Sequence, residues 1–200
     1  MQGMSEPVRR GRRRIDSRRA ILDAAKLHAV NNGWRSARVQ AIAAEAGVSR
    51  PTLYKEFPSK RDLGIALVRH ENEQFVAQLR DTLAGAESIR DGFYRGALFS
   101  LSEGQRNPLL AAVMSEDIAD DGSLVPTITL GPDTVVPMAV EVTVDLLKAV
   151  LPAHDPDELA FAGEAAVRLG FSFFMNPSEI DRSVTARRIA DLFADHLGVD

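Results

Sequence analysis

The stretch Val39–Lys60 reads VQAIAAEAGVSRPTLYKEFPSK, and its punctuation decides the fold. Gln40-Ala41-Ile42-Ala43-Ala44-Glu45-Ala46 is a compact run of strong helix formers. Gly47 can take the left-handed conformation that ends such a helix. Ser49 then suits an N-cap, and Pro51 the first turn of a second short helix. Ile42, Ala46, Val48 and Leu53 supply the apolar contacts that lock the two helices across the turn. Arg50, Thr52, Tyr54 and Lys55 remain as the polar set of the second helix, which is what a helix entering a major groove carries.

Working outward, the charge distribution agrees. The whole chain of 200 residues has net charge −4, which by itself argues against nucleic acid. Residues 1–60, however, hold 13 Lys+Arg against 5 Asp+Glu, a balance of +8, and residues 61–200 hold 11 against 23, a balance of −12. A basic head on an acidic body is expected where one end meets phosphate and the other does not. There are no cysteines, so disulfide and thiolate chemistry are excluded. No apolar run approaches the roughly 18 residues needed to span a bilayer. The arginine-rich N-terminus lacks the apolar core of a secretory signal, so a cytoplasmic protein is expected.

The periodicity predicts an all-α chain of about nine helices. Residues 1–14, with five arginines and little to bury, read as a disordered basic arm. A helix is expected from about Ser17 to Asn32, ending at Gly33, with Ile21, Ala24, Ala25 and Ala29 on its buried face. The helix-turn-helix follows, closing a DNA-binding domain over residues 15–64. Ser59 can cap a fourth helix reaching about Leu83. The remaining body, residues 65–200, carries helical spacing over Ile89–Ser102, Pro108–Glu116, Asp133–Leu151 and Asp155–Asn176. A last helix follows, capped by Ser178, with Ala186, Ile189, Leu192, Phe193 and Leu197 on one face. Residues 118–132 read as a Gly/Pro-rich loop that could cover a cavity. The best strand signal, Leu124–Leu130, is demoted by Pro126.

Ser17-Arg18 with Ile21-Leu22-Asp23-Ala24-Ala25, Gly33-Trp34, Ile42-Ala43 with Glu45-Ala46-Gly47-Val48-Ser49, Thr52-Leu53-Tyr54 with Phe57, and Ser59-Lys60 with Leu63 resemble the DNA-binding domain of the tetracycline-repressor (TetR) family. The resemblance covers about Ser17–Leu67, and Ile42–Lys60 is its most specific part. It implies base-edge contacts from Gln40, Arg50, Pro51, Thr52 and Lys55, and phosphate contacts from Ser49, Tyr54 and Lys60. The chemistry fits independently: Arg forks onto guanine, Gln onto adenine, and a Thr methyl meets a thymine methyl.

Some positions depart from the family pattern. Ala37 and Arg38 stand where threonines usually cap the second helix, leaving Ser36 as the candidate cap and Arg38 as a charged phosphate contact. Glu56 takes a place usually held by an aromatic residue, and its carboxylate would repel phosphate unless paired. Ala29 replaces a customary phenylalanine, leaving space that Trp34 could fill.

A helix-turn-helix usually works as a two-fold dimer. The segment Glu158–Met175 is apolar almost all round, and Ala162, Gly163, Ala166 and Gly170 form a small-residue stripe along it. With Ile189 and Phe193 of the last helix, this stripe is the expected homodimer interface, since the resembled family pairs its last two helices with their symmetry mates. The family also implies a small-molecule pocket in the body. Candidate lining residues are Phe93, Phe99, Leu110, Met114, Met138, Val142, Phe171 and Met175, because aromatics and flexible methionines suit an adaptable apolar cavity. The same residues suit a plain packed core. The expected reading is a repressor released from a palindromic operator by an apolar effector. The alternative is a helical small-molecule or protein-binding module without DNA binding. His28, His70, His154 and His196 lack metal-ligand spacing, and Ser100 and Ser172 lie in no nucleophile context, so no catalytic residue, metal or cofactor is expected.

Overall fold

A computed structural model of the chain describes residues 6–114 and 134–200, with side chains from residue 16 onward except 104, 105, 110, 111 and 114. The described residues form nine α-helices and no strand: α1 (Glu6–Asn32), α2 (Val39–Glu45), α3 (Arg50–Glu56), α4 (Lys60–Ala84), α5 (Ile89–Arg106), α6 (Pro108–Met114), α7 (Val135–Val150), α8 (Pro156–Met175) and α9 (Arg182–Leu197). The loop expected over 118–132 and the weak strand signal at 124–130 lie outside the described residues.

Two compact units emerge, one from residues 6–70 with α6, the other from residues 71–107 with 134–200. In the first, α1 buries Ile21, Leu22, Ala24, Ala25 and Ala29 against Ile42 and Ala43 of α2, Leu53 of α3, Phe57, and Leu63, Leu67 and Val68 of α4. The alanines let helices approach closely, and Trp34, 2% exposed, fills this same core. Leu109 and Val113 of α6 are buried in it as well. Helix α6, expected within the body over residues 65–200, packs on α1 in this unit. Its apolar run marks a buried helix without saying which core buries it.

The start of α1 also departs from expectation. It begins at Glu6, so most of the segment expected to be a disordered arm is helical backbone. Arginine is a good helix former, Pro7 is tolerated in the first turn, and adding turns to a formed helix is cheap compared with nucleating one.

In the second unit α8 packs against α5, α7 and α9, and α9 packs along α5. Each helix start has a sequence reason. Ser88 caps α5 by accepting from Asp91 N at 3.1 Å, and Asp155 caps α8 by accepting from Asp157 N at 2.8 Å, with Pro156 opening the helix. The last helix is capped by Asp181, whose Oδ1 accepts from Ser183 N at 2.8 Å, whereas the expected cap Ser178 closes a local turn onto Ile180 N. Aspartate wins because its carboxylate also complements the positive end of the helix. The end of α9 is fastened to α5: Arg90 forks onto Asp191 at 2.8 Å and Asp195 at 2.7 Å, and Ile89 N donates to Asp200 O. His154 Nε2 donates to Leu197 O at 3.1 Å.

Candidate nucleic-acid interface

The turn between α2 and α3 has the geometry its residues dictate. Gly47 sits at φ +65°, and the Val48 N–H closes onto Ala43 O at 2.9 Å. Ile42 and Leu53 are fully buried across the turn, with Ala46 and Val48 packed beside them. Ser49 caps α3, accepting from Thr52 N at 3.2 Å, while the two hydroxyls lie 2.8 Å apart. Leu53 and Phe57 therefore face inward, one turn apart. Arg50 and Tyr54, beside the inward face, and Pro51 and Lys55, opposite it, form two adjacent exposed ridges. Thr52 is half-buried between these faces, and Arg38 and Gln40 at the start of α2 are exposed. Among the described residues, no acidic group pairs with Arg38, Arg50 or Lys55.

Lys60 differs from the other cations. Its ammonium donates to Arg35 O at 2.8 Å and lies 5.3 Å from the centre of the Trp34 ring. It therefore fastens the loop before α2 to the start of α4, a contact that a phosphate would have to share. The N-cap of α2 is Arg38 with no side-chain capping bond, so the expected cap Ser36 does not act. The Arg38 carbonyl instead accepts from both Ala41 N and Ile42 N. Glu56 is paired: its carboxylate meets Arg18 from α1. Local spacing could not reveal that partner, 38 residues away.

Comparison with known proteins matches this head and the helices beyond it. Residues 21–67 fit the family described as bacterial regulatory proteins, tetR family, and residues 88–195 fit the bacterial tetracyclin repressor C-terminal domain. The chain belongs to the TetR family. Among its relatives, the HTH-type transcriptional regulator UidR of Escherichia coli (strain K12) is 33% identical over 111 residues, covering 49% of this chain and 57% of UidR. The chain thus matches just over half the length of UidR. The HTH-type transcriptional regulator AlkX of Mycobacterium tuberculosis is 24% identical over 185 residues, covering 91% of this chain and 87% of AlkX. The crystal structure of the TetR family repressor AlkX from Dietzia sp., implicated in biodegradation of n-alkanes, superposes with a TM-score of 0.69 at 25% identity, covering 90% of this chain and 95% of that one.

The body of this TetR-family chain uses its candidate residues less simply than expected. Ala162, Gly163, Ala166, Gly170, Ile189 and Phe193 are all buried within a single chain. At Gly163 the stripe is an intrachain seam, whereas a Cβ at Gly170 would meet nothing within 4 Å. A Cβ at Gly163 would lie 2.8 Å from Val144 Cγ2, so α7 already occupies the space the stripe opens. Leu192, expected on the inner face, is instead 56% exposed, and Phe161 is 63% exposed. Their positions beside the buried periodic stripe are the available sequence signal, and helical spacing alone does not rank it.

Of the candidate pocket residues, Phe93 is buried with its ring 5.7 Å from that of Phe193, and Val142 is buried on α7. Both serve as core. Phe99 packs on Phe75 at 5.1 Å, and Phe171 stacks on Phe174 at 5.7 Å. Met138, Phe171 and Met175 are half-buried. The side chains of Leu110 and Met114 lie outside the described residues, and their helix belongs to the head unit. Among the described residues no group of His, Asp or Glu could hold a metal ion, and no helix is long and apolar enough to cross a membrane.

Proposed function

We propose that this chain is a homodimeric, ligand-responsive transcriptional regulator acting in the cytoplasm, a repressor released from a palindromic operator by an apolar effector. The observation that carries this is the pair of exposed ridges Arg50/Tyr54 and Pro51/Lys55 on a capped, core-anchored helix in a basic head. Arg50, Gln40, Pro51, Thr52 and Lys55 supply base-edge readout, while Ser49, Tyr54, Lys60 and Arg38 supply phosphate contacts. No reaction is assigned to the chain.

The dimer face in this reading lies on the outer side of the α8–α9 pair. Phe161 contacts His196 at 5.9 Å, and His196, Leu192, Arg188 and Val184 follow one another at helical spacing down α9. Phe161, Leu192 and Val184 are all exposed large apolar residues, and the Glu164–Arg168 ion pair borders them. A patch on one helix pair suits an isologous two-fold contact. Two recognition helices then meet half-sites about 34–36 Å apart.

The apolar effector is supported by the half-buried Met138, Phe171 and Met175 and by the likeness to AlkX, whose structure is connected with n-alkane degradation. A coupling of about 1–3 kcal/mol between effector and DNA sites would change operator affinity roughly 5- to 150-fold. The test is selection of a duplex from a random-sequence pool, followed by gel shift with and without a long-chain n-alkane. A palindromic duplex released by the alkane supports the whole reading. Retention of the complex removes the effector class, and failure to select any duplex favours the binding module without DNA.

A further inference from the structure

We propose that Arg18 is a positioning residue for the recognition helix: it holds the C-terminal end of α3 and cancels a negative charge that α3 itself carries. This rests on the DNA-binding reading. Helix α3 has only 7 residues, too few to be stable or oriented alone, so its direction depends on what holds its two ends. Ser49 secures the first end. At the other, three groups converge on one guanidinium from α1. Arg18 Nη1 donates to the Glu56 carbonyl at 3.4 Å and lies 4.0 Å from the Glu56 carboxylate, and its central carbon lies 4.4 Å from the centre of the Phe57 ring.

Each contact answers a local need. The Glu56 side chain is only 6% exposed, so its charge requires a cation. The carbonyl end of a helix carries partial negative charge and favours a cation beside it. Phe57, 2% exposed, is the last inward-facing residue of α3, and a planar guanidinium can lie over its ring while its N–H groups reach the backbone. Arg50, Tyr54 and Lys55 share this helix with Glu56, so an uncancelled carboxylate would oppose the phosphate attraction they provide.

The experiment titrates the full-length chain and its variants R18M, R18K, E56Q and R18M/E56Q against a duplex selected by the wild type, at several salt concentrations. Thermal unfolding is followed in parallel. R18M should weaken binding roughly tenfold at low salt and less at high salt. R18M/E56Q should recover to within roughly threefold of wild type, since the local charge balance is restored. R18K should fall between, keeping charge but losing the planar stack. The double variant should also melt above R18M, since a buried unpaired charge is gone, so salt separates the roles: the affinity lost in R18M should shrink as salt rises, whereas a merely structural loss would persist at every salt concentration. A double variant that binds no better than R18M overturns the proposal. Should R18M not fold, E56Q alone decides: affinity should rise roughly threefold, because a cation loses its cancelling partner, and unchanged or weaker binding overturns the idea. A wild type that selects no duplex removes the DNA-binding reading and this proposal with it. A selected duplex that R18M binds equally well removes the Arg18 role alone.

Discussion

Head and body are both helical and both rest on alanine-rich faces, yet they place their arginines and lysines differently. In the head, Arg50 and Lys55 point outward on α3, Lys60 closes onto a backbone carbonyl and a ring, and Arg18 meets a carbonyl, a ring and the Glu56 carboxylate. In the body, cations close onto carboxylates: Arg90 onto Asp191 and Asp195, Arg95 onto Asp91, Arg168 onto Glu164. A surface that keeps unpaired cations on a rigid helix is prepared for a polyanion. One that pairs them internally is prepared for stability. The difference explains how a net negative chain can still present a basic end.

The largest test of this contrast removes the outward set. Arg50→Ala with Tyr54→Ala should lower affinity for a selected duplex roughly hundredfold, with the helical signal and melting temperature near wild type. A melting loss matching the affinity loss would mean these residues hold the head together. Next comes the outer face of the body. Phe161→Glu with Leu192→Glu should convert a sedimenting dimer to a folded monomer, because two charges replace two exposed apolar side chains. A dimer that survives would move the interface elsewhere.

Two glycines sharpen the comparison further. Gly163→Ala should destabilise by about 1–3 kcal/mol in thermal unfolding, since the new Cβ meets the stiff Val144 side chain. Gly47→Ala meets nothing, yet its φ of +65° should cost about 1–2 kcal/mol. One glycine supplies room and the other backbone freedom. Equal effects from replacing Gly163 and some exposed helical residue would contradict the seam.

The smallest effect concerns acid. Backbone donation from Glu87 and the Arg95 guanidinium hold the Asp91 carboxyl below its usual value, and Ser183 does the same for Asp181 through its hydroxyl and backbone N–H. A depressed carboxyl stabilises the fold above its unfolded value, and that contribution is lost as pH falls through the folded one. Asp91→Asn and Asp181→Asn should therefore flatten the fall in melting temperature at acid pH. An unchanged slope would show that other carboxylates control it.

Much of the head was legible because its signals are local. Gly47, Ser49 and Pro51 announce a turn and a helix start whatever surrounds them, and the i, i+4 spacing of Leu53 and Phe57 marks the inward face. Glu56 by itself is a liability for phosphate contact, and Arg18, remote in sequence, lies beside it. Lys60 matched a phosphate-binding pattern before its hold on Arg35 and Trp34 was visible. In the body, the small residues Ala162, Gly163 and Ala166 imply close helix approach, and at Gly163 the neighbour is α7 of the same chain.

The sequence by itself determined which residues turn the chain, cap its helices and face inward, and it determined the basic head that identifies the family. These follow from backbone preference, side-chain chemistry and period, all readable within a few residues. Only the tertiary structure decided what each face meets: α6 under the head, α7 in the glycine seam, Arg18 on Glu56, and Phe161 and Leu192 left outside. A helical period records that a face is buried. It does not record the partner, because apolar burial is nearly indifferent to which apolar surface excludes the water.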